Sequence, residues 1–165
     1  AQIQSGTIDM YLRDIESLMV VWSRRRNVDA NDLLDVDLLH ILQPDRFGLL
    51  VIDDKLQHVD AKWAMERIYD VLCDGGMAMI TVPSTDGRGA FQDPTHKSFW
   101  NENSFWYYTD EKYAKLIGFE GRFQVSNLTT YFPSEWHKAH DISYVRANLI
   151  ALKSDTNRYG GIVNI

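Results

Sequence analysis

The sequence predicts an α/β fold: one domain built on a mostly parallel sheet, with an antiparallel strand pair in its last third. Three observations carry this expectation. Residues 47–52 and 77–82 are continuous apolar runs of the length expected for strands buried on both faces. Between them lies a segment of helical periodicity followed by Gly75-Gly76, the punctuation of a strand-helix-strand unit with parallel strands. Residues 123–132 and 144–152 then show β-favouring and alternating patterns, separated by a short polar stretch that allows them to pair antiparallel.

Taken in order, residues 1–4 read as a short strand leading into Ser5-Gly6-Thr7, residues 8–18 as a short helix, and residues 19–22 as a second strand. Residues 32–42 alternate between apolar and acidic, as a loop or one helical turn would. Pro44-Asp45 precedes the strand at 47–52, and Asp53 and Asp54 end it. In residues 60–73, Ala64, Ile68, Val71 and Leu72 share one helical face, while Lys62, Glu66, Arg67 and Asp70 carry the polar side. Asp60 is the expected N-cap, and Asp74-Gly75-Gly76 the expected stop. A short helix is predicted over 110–117, capped by Thr109 and stopped by Gly118. In the last predicted strand, Val145, Ala147, Leu149 and Ala151 alternate with Arg146, Asn148 and Ile150.

Composition bounds the function. At 165 residues with 45% hydrophobic content, the chain is expected to form a single domain, 1–165, with a sizeable core. A net charge of −6 argues against general nucleic-acid binding, which requires a basic surface. Arg24-Arg25-Arg26 is the one basic run; a solvated loop is the expected reading and a phosphate grip the alternative. Cys73, the sole cysteine, is expected on the apolar helical face as a buried thiol. The sequence shows neither a signal-peptide pattern nor an apolar run long enough to cross a bilayer. The expectation is a cytoplasmic protein with no membrane partner, in which an oligomer remains open.

The stretch from Pro83 to Tyr108 is dense in chemistry. It holds Gly87-Arg88-Gly89, Asp93-Pro94, His96 and the rings of Phe99, Trp100, Phe105, Trp106, Tyr107 and Tyr108. It follows a predicted buried strand directly, and ligands of open α/β sheets bind at the carboxyl ends of strands.

On these motifs the chain resembles the class I S-adenosylmethionine-dependent methyltransferases, most strongly over residues 27–152. Residues 27–34 resemble the acidic segment beside the cofactor adenine, and residues 47–59, with Leu56-Gln57-His58, resemble the family's fourth strand and the loop after it. Residues 69–76 resemble the helix end and Gly-Gly turn before the fifth strand. The run Gly87-Arg88-Gly89-Ala90-Phe91-Gln92-Asp93-Pro94-Thr95-His96 is similar to a subgroup of these enzymes. The resemblance implies a Rossmann-like methyltransferase fold, the cofactor S-adenosylmethionine and a transferase activity. It also assigns residues 1–40 to a shortened or divergent cofactor-binding part and residues 84–108 to an acceptor-side loop. The family's glycine-rich turn is reduced here to Gln4-Ser5-Gly6, and Trp22-Ser23 stands where an acidic residue is expected. Three readings of that departure stay open: a divergent pocket, a decayed first unit, or an incomplete gene product.

The expected cofactor-binding residues are Gly6, Asp32, Asp53 and Asp54. Asp32 would accept from the adenine amine or serve as a helix cap or surface acid; one of Asp53 and Asp54 would face the acceptor or the sulfonium, or both simply end a strand. His96 and His58 are the candidate proton acceptors, because imidazole titrates near neutrality. Asp93 is expected to fix the His96 tautomer and raise its basicity. Arg88, Trp100 and Trp106 are the candidate acceptor-binding residues, by bidentate pairing and by stacking. Most of the rings are expected to pack as core. His137, His140 and Asp141 have loose metal-ligand spacing, and no metal is expected. The expected function is methyl transfer to a small-molecule or glycan acceptor; the alternative is a catalytically inactive methyltransferase-like binding or scaffolding module.

Overall fold

The computed structural model describes residues 44–45 and 47–154. The expectations for residues 1–43, among them Gly6, Asp32 and the arginine run, lie outside the described residues. The described chain forms a four-stranded sheet in the order β1-β2-β4-β3. The strands are β1 (Phe47–Asp53), β2 (Leu72–Pro83), β3 (Phe123–Tyr131) and β4 (Tyr144–Ala151). β1 and β2 pair parallel, whereas β4 is antiparallel to both β2 and β3. The sheet is therefore mixed over the described residues, and the expectation of a mostly parallel sheet is corrected. The last strand inserts between β2 and β3, so two of the three pairings are antiparallel.

The crossover from β1 to β2 is helix α1 (Ala61–Val71), whose N-cap Asp60 accepts a hydrogen bond from the Trp63 amide at 2.8 Å. Ala64, Met65, Ile68 and Val71 are buried on its inner face. That is the predicted stripe, with Met65 completing it at the i+3 position below Ile68. The helix ends at Val71, two residues before the expected end at Cys73. Leu72 is already extended, and the chain runs on as β2 through Asp74-Gly75-Gly76. The Gly-Gly pair is thus not a helix stop but part of an irregularity in the β1–β2 ladder, where Phe47 faces Leu72 while Leu49 faces Met77. Gly75 has φ +79°, and a Cβ on Gly76 would lie 2.8 Å from the Phe47 carbonyl oxygen. Only glycine fits both demands without displacing backbone. Cys73 sits in this irregular stretch, half-buried, rather than on the helical face.

After β2 come the short helices α2 (Gly89–Gln92), α3 (Trp106–Thr109) and α4 (Glu111–Ile117), then β3, α5 (Glu135–Ala139) and β4. The cap of α4 is Asp110, which accepts from the amides of Lys112 and Tyr113; the expected cap, Thr109, instead closes α3 by donating to the Phe105 carbonyl. The alternation in β4 holds: Val145, Ala147, Leu149 and Ala151 are buried. They join Ile52, Ile80 and Val82 of the sheet, Met65 and Ile68 of α1, and Trp100 and Phe105 of the loop in one core. No helix among the described residues is long and apolar enough to cross a membrane.

Candidate active site

The parallel pair defines a carboxyl edge. There Asp53 lies opposite Thr81, whose hydroxyl donates to the Asp53 carboxylate. Asp54 takes a left-handed φ of 55°, turning the chain out of β1, and its amide bonds the Thr81 carbonyl at 2.9 Å. β4 begins at the same edge, because Pro83 pairs with Tyr144. The Tyr144 hydroxyl donates to Asp54 Oδ1 at 3.3 Å, and Gln57 Nε2 donates to the same oxygen at 2.8 Å. Burial, then the negative charge of Asp54, pushes the Tyr144 phenol up to about 12. Asp53 and Asp54 are both exposed at this edge.

The loop from Ser84 to Tyr108 folds back over that edge. The Lys97 and Ser98 amides donate to the Gln57 carbonyl at 2.7 and 3.0 Å, and Ser98 Oγ donates to the Leu56 carbonyl at 2.9 Å. Ser84 bridges to Trp100, and Arg88 N donates to the Asp141 carbonyl at 2.6 Å. Trp100 is 1% exposed, stacks near Phe105 and Tyr108, and donates its indole N–H to Ser98 Oγ. It is therefore a core residue, and its expected role in stacking on the acceptor is corrected: a ring sealed under its own loop cannot meet a ligand. Trp106 is partly exposed and packs beside Tyr113 of α4. Arg88 is exposed, but its flanking glycines do not serve ligand approach. A Cβ on Gly87 would lie 2.7 Å from Ser143 N, and one on Gly89 would lie 2.7 Å from Ile142 Cγ2. Both glycines let the loop pack against the segment leading into β4. The exposed rings that do pair on this loop are Phe91 and Phe99, stacked with centroids 5.2 Å apart.

This folding-back brings together His58, Asp93 and His96. His58 ends the 3-10 turn Leu56–His58 after β1; Asp93 and His96 come from the loop after β2. The two imidazoles meet edge-to-face with centroids 5.0 Å apart. His96 is held by a 2.7 Å hydrogen bond between Nδ1 and the Ala90 carbonyl. A carbonyl only accepts, so the hydrogen resides on Nδ1, and in the neutral ring the lone pair is on Nε2. Nε2 lies 3.7 Å from Asp93 Oδ2, and the His96 side chain is 5% exposed. The sequence expectation had Asp93 fixing the tautomer. The structure gives that task to Ala90, and Asp93 faces the reactive nitrogen instead. Asp93 Oδ1 accepts from the Thr95 amide at 2.8 Å and the Thr95 hydroxyl at 2.7 Å. These bonds, with the neighbouring imidazoles behind them, hold its carboxyl below the usual carboxylate range. Thr95 also reaches His58, with Oγ1 3.4 Å from Nδ1. Sequence reasoning missed Thr95, although Asp-Pro-Thr is the composition of a side-chain-bonded turn.

His137 and His140 lie on or next to α5, where each is tied to its own turn. His137 Nδ1 is 2.7 Å from Ser134 Oγ, and His140 Nδ1 is 2.7 Å from the Trp136 carbonyl. A cavity of about 510 Å³ lies at the opposite edge of the sheet, lined by Tyr108, Asp110, Ala114, Phe119 and Arg122 among others. Ligands of open α/β sheets favour the carboxyl edge, and the cluster of His58, Asp93 and His96 is there.

No family model and no curated protein matches the sequence. Solved structures to which the chain is similar include S-adenosylmethionine-dependent methyltransferases. A SAM dependent methyltransferase from Archaeoglobus fulgidus is 14% identical with a TM-score of 0.41, over 76% of this chain and 66% of that one. Phosphoethanolamine N-methyltransferase 2 of Haemonchus contortus is 15% identical with a TM-score of 0.42, over 68% of this chain and 35% of that one. The [4+2]-cyclase SpnF is 15% identical with a TM-score of 0.46, over 77% of this chain and 55% of that one. The chain thus covers less than two thirds of the length of each. At these scores the likeness carries no argument about function, which must rest on the site.

Proposed function

We propose that the chain transfers a methyl group from S-adenosylmethionine to a small-molecule or glycan acceptor at the carboxyl edge of β1 and β2. The observation that carries this reading is the His96 imidazole, nearly buried, with Nδ1 satisfied by Ala90 and Nε2 offered beside an ionised Asp93. The sequence resemblance supports it: the segments matched to the fourth and fifth strands are β1 and β2, and the closing antiparallel pair is β3 and β4. The exposed carboxylates of Asp53 and Asp54 suit a sulfonium cation, and on the resemblance Gly6 and Asp32 would hold the rest of the cofactor.

The bound cofactor supplies an electrophilic methyl group. The chain's own residues position the acceptor and remove its proton. His96 Nε2 accepts the proton of an acceptor hydroxyl or amine, and the Asp93 carboxylate steadies the imidazolium that results. Arg88, exposed on the same loop, holds an anionic group of the acceptor. His58 lines the cluster with His96 and is the second proton acceptor in reach.

Calorimetric titration with S-adenosylhomocysteine tests the cofactor, and a labelled-methyl screen over small hydroxylated and glycan acceptors tests the transfer. Saturable heat is expected. With the acceptor so identified, His96→Ala should lower turnover about a hundredfold or more. It should cost about 1–2 kcal/mol of stability. No heat at millimolar ligand would leave the binding-module reading in its place.

A further inference from the structure

We propose that His58, Asp93 and His96 together form a binding site for one divalent transition-metal ion of the zinc class. One ligating atom from each of the three side chains lies within 4.8 Å of the other two. Two imidazoles and a carboxylate are a nitrogen-rich donor set, which favours zinc-like ions over the oxygen-seeking magnesium and calcium.

The geometry is that of a site close to assembly. Metal–ligand bonds of about 2.0–2.2 Å put tetrahedral ligand atoms about 3.3 Å apart. The His96 Nε2 to Asp93 Oδ2 separation is 3.7 Å. That is too long for a hydrogen bond, and near the span an ion bridges. His58 and Asp93 are both partly exposed, so small side-chain rotations close the remaining distance.

Outer contacts already orient the donors, as they do around bound metals. Ala90 takes the hydrogen of His96 Nδ1, so Nε2 faces the cluster. Thr95 occupies Asp93 Oδ1 with its amide and hydroxyl, which leaves Oδ2 toward His96. The two contributing segments are locked together by the Lys97 and Ser98 amides on the Gln57 carbonyl, one residue from His58. Three protein donors leave a fourth position for a small molecule. The sequence reading expected no metal because it weighed only His137, His140 and Asp141. His58 and His96 are far apart along the chain, and only the loop's return over β1 unites them.

Metal binding and proton acceptance by His96 exclude one another, because both use the same Nε2 lone pair, so the metal site is tested apart from methyl transfer. The metal-free full chain is titrated with zinc by calorimetry and with cobalt(II) by visible absorption. One ion per chain is expected, with the absorption of a four-coordinate cobalt centre. Asp93→Asn keeps the Oδ1 acceptor for Thr95 and removes the anion; His58→Ala removes one imidazole. Each should weaken zinc binding about a hundredfold or more, while His137→Ala leaves it unchanged. Melting curves of the metal-free variants establish that they fold, and Asp93→Asn decides the matter if His58→Ala does not. Absence of zinc heat at millimolar concentration, or wild-type affinity in Asp93→Asn, overturns the proposal.

Discussion

The hydrogen bond from His96 Nδ1 to the Ala90 carbonyl decides which nitrogen of the ring can react, and no neighbouring residue type announces it. The main-chain partner arises because α2 presents the Ala90 carbonyl to a side chain six residues later. The same scale separates rings that hold the loop from rings that face outward. Trp100 fills the core and donates its N–H internally, whereas Phe99, its neighbour in sequence, is 50% exposed and stacks on Phe91. Trp100→Ala is expected to cost about 3–5 kcal/mol, as large-to-small changes in a packed core do. Phe99→Ala should cost about 1 kcal/mol, the loss of one aromatic pair. Urea denaturation of both variants checks this; equal losses would mean that Trp100 is not the ring that anchors the loop.

At the scale of elements, the β1–β2 ladder holds the carboxyl edge in register while tolerating an irregular start. Beyond Gly76 the pairing is regular through Asp53 opposite Thr81, which fixes where Asp53 and Asp54 emerge. The irregular start depends on the close approach of Gly76 to Phe47, where an added Cβ would meet backbone carbonyl oxygens at 2.8 and 2.9 Å. Gly76→Ala should therefore destabilise by about 1–3 kcal/mol, as steric overpacking does. Asp60→Ala, which removes the α1 cap, should cost about 1 kcal/mol. Thermal unfolding of the two variants measures the difference. A Gly76→Ala protein as stable as the parent would show that the ladder can shift without cost.

For the molecule as a whole, the insertion of β4 between β2 and β3 carries a phenol to the candidate site. Burial and Asp54 raise Tyr144 from 10.0 to about 12 in the folded chain. The folded state then keeps a proton that the unfolded chain releases. That contribution to stability is complete below about pH 10 and is lost as pH rises toward 12. Tyr69 and Tyr108 are raised for the same first reason, burial, and act in the same direction. Stability of the parent should fall between pH 10 and 12 more steeply than that of Tyr144→Phe, which has no hydroxyl to ionise at that position. Urea midpoints at several pH values across this window check it, and identical slopes would contradict the burial of Tyr144.

The periodic features were legible in the sequence. The apolar run of β1, the stripe and cap of α1, and the alternation of β4 each follow from local side-chain pattern, because a helix or strand buries whichever face its own residues make apolar. His58, Asp93 and His96 were legible as candidate chemistry for the same local reason: their residue types are reactive wherever they stand. Their meeting was not. It depends on β1 and β2 lying parallel and on main-chain bonds from Lys97 and Ser98 to Gln57, contacts between segments about 40 residues apart in the chain. The mixed sheet, the true role of Gly75-Gly76 and the burial of Trp100 were decided in the same way. Pattern specifies which face of an element is buried, but the partner that buries it is chosen by the packing of the whole chain.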